Sequence, residues 1–103
     1  IRNEFKIDCK FSIEQIKVWI THIGGYPGNY KKRILDGLKE YKPDLFICGH
    51  SHILKIIHDR KHNFLHINPG AIGKHGFHQK RTMIRFIVDK GDINNLEVIE
   101  FNR

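Results

Sequence analysis

The pattern of hydrophobic and polar positions divides the chain into short strands around one helix. Residues 15–22 (Gln-Ile-Lys-Val-Trp-Ile-Thr-His) are rich in β-branched and aromatic side chains with partial alternation, which predicts a strand. A loop dense in turn residues follows, and residues 30–41 then place three aliphatic side chains on one face, as an amphipathic helix does. Residues 45–48 form a continuous apolar run, which is typical of a strand buried on both faces.

The rest of the chain adds strands and one long loop. Residues 68–79 predict a loop, because they contain several glycines, a proline and two histidines. The further predicted strands cover residues 6–11, 53–59, 64–67, 81–89 and 96–101, the last two joined as a hairpin. This order of elements predicts a fold of the α/β (α+β) class.

The strand over 15–22, the helix and the strand over 45–48 form a β-α-β unit. Such units normally make right-handed parallel crossovers, and ligands collect outside the carboxyl ends of the parallel strands. His22 ends the first strand, and residues 49–52 (Gly-His-Ser-His) follow the second. We therefore expect the two histidine motifs to meet at one edge of the sheet.

His50 and His52 stand two residues apart, which in an extended segment directs both side chains to one face. Their Cα atoms would lie roughly 6.5 Å apart, a spacing that suits one histidine on each of two ions about 4 Å apart. Taken alone, the pair also fits ordinary surface histidines, since the chain has eight. His22 on the neighbouring strand favours the metal site, although imidazole does not choose among Zn, Fe, Ni and Mn.

Three motifs together resemble the calcineurin-like metallophosphoesterases, and among them the compact YfcE-type phosphodiesterases. The motifs are residues 21–25 (Thr-His-Ile-Gly-Gly), residues 42–52, which end in Gly-His-Ser-His, and residues 68–70 (Asn-Pro-Gly). The resemblance covers about residues 15–101. It implies the C-terminal half of a two-sheet metallophosphoesterase sandwich flanked by helices, so that residues 1–103 would be a single partial domain.

The resemblance also implies a site and a reaction. His22 and His50 would bind one divalent metal ion and His52 the other, with Mn, Ni, Fe or Zn as the two cofactors. A water activated by the two ions would hydrolyse a small phosphoester, namely a phosphodiester. His78 would approach the substrate phosphate, with a solvent-facing loop histidine as the alternative. The family's other ligand motifs, D-x-H, G-D-x-x-D and G-N-H or G-N-x-D, do not occur in this sequence. No catalytic acid or base is therefore assigned, and the 103 residues alone are expected to be inactive.

The resemblance and the charge leave two other classes of function to weigh. A non-catalytic protein-interaction scaffold is the first, because the retromer subunit of this fold has a similar pattern. The net charge of +7 suggests a nucleic-acid partner, but the Lys and Arg residues are scattered, which argues against one. No apolar run reaches the roughly 20 residues that cross a bilayer. We expect a cytoplasmic protein with free cysteines and no membrane partner; a homo-oligomer stays open.

Overall fold

The computed structural model describes residues 8–51, 53–71, 73 and 80–102, which contain seven strands and one helix. The elements are β1 (Asp8–Ile13), β2 (Ile16–Thr21), α1 (Lys32–Tyr41), β3 (Leu45–Cys48), β4 (Leu54–Asp59), β5 (Phe64–Pro69), β6 (Lys80–Asp89) and β7 (Asp92–Asn102). Nowhere in these ranges is a helix long and apolar enough to cross a membrane. The fold is mixed α/β, as the order of elements predicts.

Five strands form one sheet in the order β1-β2-β3-β5-β4. The three central strands run parallel, while β1 and β4 pair antiparallel at the two edges. The predicted crossover is confirmed, because β2 and β3 are parallel neighbours and Thr21 pairs with Cys48 at their carboxyl ends. The residues that follow these two positions therefore leave the sheet side by side.

Helix α1 covers one face of this sheet. Its apolar stripe buries Ile34 and Leu38 against Trp19 of β2 and Phe46 of β3. The helix begins at Lys32, two residues after the predicted start. It ends where Lys42 adopts a left-handed conformation (φ +52°) and donates its N–H to the carbonyl of Leu38, just before Pro43.

The hairpin formed by β6 and β7 covers the opposite face, so the two sheets pack as a sandwich with α1 on the outer face of the larger sheet. Its Ile84 and Phe86 pack against a cluster that includes Val18 and Leu45. The prediction that β3 is buried on both faces is therefore confirmed for most of its length. On the same face of β2, however, Ile20 remains exposed.

Several strand boundaries differ from their predicted positions. Strand β5 continues to Pro69, because Asn68 and Pro69 pair with the first two residues of β4. The predicted loop over 68–79 therefore begins at least two residues too early. Strand β7 starts at Asp92 rather than at residue 96, and its pairing with β6 contains an irregularity between Arg85 and Ile87.

Candidate metal centre

His22 and His50 lie in contact at the carboxyl edge of the sheet. The N–H of Gly49 donates to the carbonyl of His22 over 2.9 Å and joins the two chain segments as they leave β2 and β3. The two imidazoles, both exposed, stack edge to face with their centroids 5.1 Å apart. Nδ1 of His50 lies 3.4 Å from Nε2 of His22. The two histidine motifs that are far apart in sequence therefore do meet.

The separation of these two nitrogens fits a shared divalent ion. Ligand nitrogens about 2.1 Å from one ion lie about 3.0 Å apart at an octahedral angle and about 3.4 Å apart at a tetrahedral one. Two ligands do not complete a site, and among the described residues no group of three or more His, Cys, Asp or Glu could hold a metal. The other predicted site residues, His52 and His78, lie outside the described residues.

The backbone at His50 is held in an unusual conformation. Its φ of +74° is in the left-handed region, which costs a non-glycine residue about 1–3 kcal/mol and is concentrated at functional sites. The turn is kept closed by the N–H of Ser51, which donates to the carbonyl of Gly49 over 3.0 Å. Contacts around His50 therefore offset the free-energy cost of its left-handed backbone, and this backbone conformation places its ring beside His22.

Asn68 supplies much of that support, a role that the sequence did not reveal. Its buried side-chain amide donates to the carbonyl of Gly49 (3.3 Å) and to the hydroxyl of Ser51 (3.0 Å). Its amide oxygen accepts the N–H of Gly70 at 3.1 Å. The Asn-Pro-Gly motif was the available signal, and the structure shows that its first residue anchors the turn carrying His50.

The loop after His22 is pressed onto the sheet. A Cβ added at Gly24 would lie 2.8 Å from Cζ of Phe46 and 2.9 Å from Cβ of Cys48, so only glycine allows this approach. The thiol of Cys48 lies 3.6 Å from the carbonyl of Gly25, and burial raises its pKa to about 11. This thiol stays protonated at neutral pH, and Cys48 is free, as the sequence predicts, and buried.

A buried histidine lies on the same face of the sheet, under the loop. His66 of β5 is fully buried among aromatic rings, and its Nδ1 lies 3.1 Å from the hydroxyl of Tyr30. Burial lowers its pKa to about 4, Asp59 acts in the opposite direction, and Lys55 lowers the pKa further. His66 is therefore neutral near pH 7.

The fold and this pair of histidines agree with the family that the sequence indicates. The sequence profile of the calcineurin-like phosphoesterase superfamily domain matches residues 1–91. The chain belongs to this superfamily. No curated protein sequence matches the chain.

Several solved structures are similar to the chain in fold. An archaeal phosphodiesterase is 22% identical with a TM-score of 0.66, and the match covers 92% of this chain and 51% of that one. A Thermotoga maritima protein is 18% identical with a TM-score of 0.65, covering 97% and 57%. Vps29 from Entamoeba histolytica, solved as a complex with Zn²⁺, is 16% identical with a TM-score of 0.61, covering 92% and 61%. The chain thus spans about half to three fifths of the proteins that it matches.

Proposed function

We propose that this chain forms part of the dimetal centre of a phosphodiesterase of the YfcE type. His22 and His50 would hold one divalent ion and His52 the second, with Mn, Ni, Fe or Zn as candidates. The observation that carries the proposal is the 3.4 Å separation of Nδ1 of His50 from Nε2 of His22 at the carboxyl edge of a parallel sheet. Membership of the calcineurin-like phosphoesterase superfamily supports it.

The residues of this chain would bind the metal ions and orient the ligand side chains and the substrate phosphate. When bound, the ions would supply Lewis acidity to the phosphate oxygens and to the attacking water. For its Nε2 to act as a ligand, His22 must carry its ring proton on Nδ1, and His50 must carry its own on Nε2. Asn68 keeps the turn at His50 closed through its bonds to Gly49 and Ser51. His78 would contact the substrate phosphate.

We propose further that the carboxylate ligands of the centre come from outside these 103 residues. The D-x-H and G-D-x-x-D motifs are absent from the sequence. The sheet face beside the hairpin also leaves an apolar band exposed, formed by Phe11, Ile13 and Ile20. A larger sandwich would bury this band, as expected if the chain is one part of a domain.

The test is metal-dependent hydrolysis of bis(p-nitrophenyl) phosphate by a form of the protein that includes both missing motifs. His22→Ala and His50→Ala should each lower kcat/KM by about 100-fold or more, because an ion needs its ligands to act as a Lewis acid. His58→Ala is the matched control, since His58 is an exposed histidine on β4 that pairs across from Leu65, at the opposite edge of the sheet. Equal turnover in all three variants would refute the assignment of His22 and His50.

A protein-interaction scaffold is the second candidate. The similarity to Vps29 favours it, and so does the exposure of Ile23, Tyr26 and Ile53, three large hydrophobic side chains. A scaffold predicts that the same extended protein, loaded with metal, hydrolyses neither aryl phosphodiesters nor aryl phosphomonoesters. Turnover that depends on His22 and His50 would exclude this alternative as the sole function.

A further inference from the structure

A cavity of about 360 Å³ opens next to the histidine pair, on the side of the sheet that carries α1. This volume lies within the range of about 300–1,000 Å³ that is typical of small-molecule sites. The residues that give its wall its chemical character are Ile23, Tyr26, Lys31, His50, Ile53 and Lys55. Because His50 belongs both to this wall and to the candidate metal centre, a ligand in the cavity would lie beside the reacting phosphate.

The wall combines an apolar surface with positive charge. Tyr26 and Ile53 are 45% and 57% exposed, so their apolar surface is available to a ligand. Lys31 and Lys55 are the charged residues of the described wall, which contains no carboxylate. The cavity therefore favours a ligand that has both a flat apolar group and a negative charge.

One of these cations is already positioned by the protein. Nζ of Lys55 lies 5.0 Å from the centre of the Tyr26 ring, within the range of a cation–π contact. This contact holds the ammonium group at the wall, so that the aromatic ring and the positive charge can contact the same ligand. A ligand that stacks on Tyr26 would bring its own anionic group to Lys55.

We propose that this cavity selects the organic part of the substrate: an ester group that carries a flat aromatic ring and a second phosphate, as in nucleotide-derived phosphodiesters. The proposal rests on the proposed function for the position of the scissile phosphate. Recognition of the ring and of the second phosphate belongs to Tyr26, Lys55 and Lys31, and it requires neither metal nor turnover.

The test measures binding of thymidine 3′,5′-bisphosphate, thymidine and inorganic phosphate to the metal-free full chain by titration calorimetry. The bisphosphate should bind at least about tenfold more tightly than either partial ligand, since it alone uses the ring and the charge together. Lys55→Ala and Tyr26→Ala should each weaken it about fivefold. Tyr26→Phe, which keeps the ring, and Lys39→Ala, which removes a lysine of α1 outside the cavity wall, should change it less than about twofold.

Three results would overturn the proposal. The first is that the bisphosphate does not bind, and the second is that it binds no more tightly than inorganic phosphate. The third is that Lys39→Ala loses as much affinity for the bisphosphate as Lys55→Ala does, which would indicate attraction to the overall charge of +7. Selective binding without hydrolysis by the metal-loaded, extended protein would instead count against the proposed function and leave this inference supported. The two failures are thereby distinguishable.

Discussion

His50 combines a strained backbone with an exposed side chain. Its left-handed φ of +74° is unfavourable for a residue with a Cβ, and its exposed ring fills no space in the core. Because such a residue contributes little to packing, a functional requirement for the imidazole ring is the simplest physical reason for a histidine at this position. The N–H of the neighbouring Gly49 donates to the carbonyl of His22, so the backbone conformation at His50 also affects the position of its ring relative to His22.

We predict that, in the form of the protein that includes the missing D-x-H and G-D-x-x-D motifs, His50→Ala loses a metal ion but keeps the fold. Removal of an exposed ring leaves no cavity of the kind that costs several kcal/mol, so the Tm should change by less than about 4 °C. His50→Gly should lose the same ion and melt at an equal or higher temperature, because glycine relieves the left-handed backbone. Metal analysis and calorimetry of both variants check this, with His58→Ala as the control. A lower Tm with full metal content would show a structural role instead.

We predict that His66 makes the stability of the fold depend on pH. Its folded pKa of about 4 is below the ordinary value of 6.5, so between these values the unfolded chain binds a proton that the folded chain does not. The free energy of unfolding should therefore rise from about pH 4 to about pH 6.5, by on the order of 3 kcal/mol, and level off above. The pKa values of Asp8 and Asp59 are lowered from 3.8, so these two groups change the free energy of unfolding only below about pH 4.

The matched variant for this prediction is His66→Phe. Phenylalanine fills the same aromatic surroundings and also removes Nε2, a buried atom that has no hydrogen-bond partner among the described residues. Urea denaturation at several pH values between 4 and 7 should show a slope in the wild type and none in the variant. An identical slope in both proteins would mean that other groups cause the dependence.

At the scale of elements, α1 lies so close to the sheet that one of its positions has no room for a side chain. A Cβ added at Gly37 would overlap the indole of Trp19, with Cζ3 at 2.8 Å. Trp19 is 1% exposed and makes an edge-to-face contact with Phe46, whose ring centre is 5.0 Å away. The indole therefore has little freedom to move aside.

We predict that Gly37→Ala destabilises the protein. Alanine gains about 1 kcal/mol of helix propensity over glycine, but overpacking of a full core costs about 1–3 kcal/mol. The second effect should dominate and lower the free energy of unfolding by about 1 kcal/mol. Combination with Trp19→Phe should recover part of this loss in a double-mutant cycle. If Gly37→Ala alone is stabilising, the helix does not pack this closely on Trp19.

At the scale of the whole molecule, the two-stranded sheet does not fully cover the facing side of the five-stranded sheet. The apolar band of Phe11, Ile13 and Ile20 lies on the hairpin face of β1 and β2 but remains exposed. Burial of such surface stabilises by about 25 cal/mol per Å². The band and the pair of His22 and His50, which has no third metal-ligating residue beside it among the described residues, support the same proposal, that residues outside this chain complete both the core and the site.

We predict that residues 1–103 alone neither bind two metal ions tightly nor hydrolyse an aryl phosphodiester. Histidines without carboxylates leave two dications poorly neutralised. A preceding segment that carries D-x-H and G-D-x-x-D should restore both properties. Manganese titration and a bis(p-nitrophenyl) phosphate assay of the two forms compare them directly. Robust metal-dependent turnover from the 103 residues alone would contradict the proposal of a partial domain.

The sequence by itself determined the elements and the meeting of the two histidine motifs. Alternation and helical periodicity are local properties, so β2, α1 and β3 could be predicted within about two residues of their bounds. A parallel crossover then places the ends of β2 and β3 at one edge, whatever their side chains. The contact between His22 and His50 follows from that topology.

Only the tertiary structure decided the atomic detail of the site. The left-handed turn at His50 depends on Asn68, and Asn68 reaches it because β5 pairs beside β3 and extends along β4. The burial of His66 and the contact of Lys55 with Tyr26 likewise join segments distant in sequence. Local patterns carry no information about such contacts, because each depends on how separate elements pack in three dimensions.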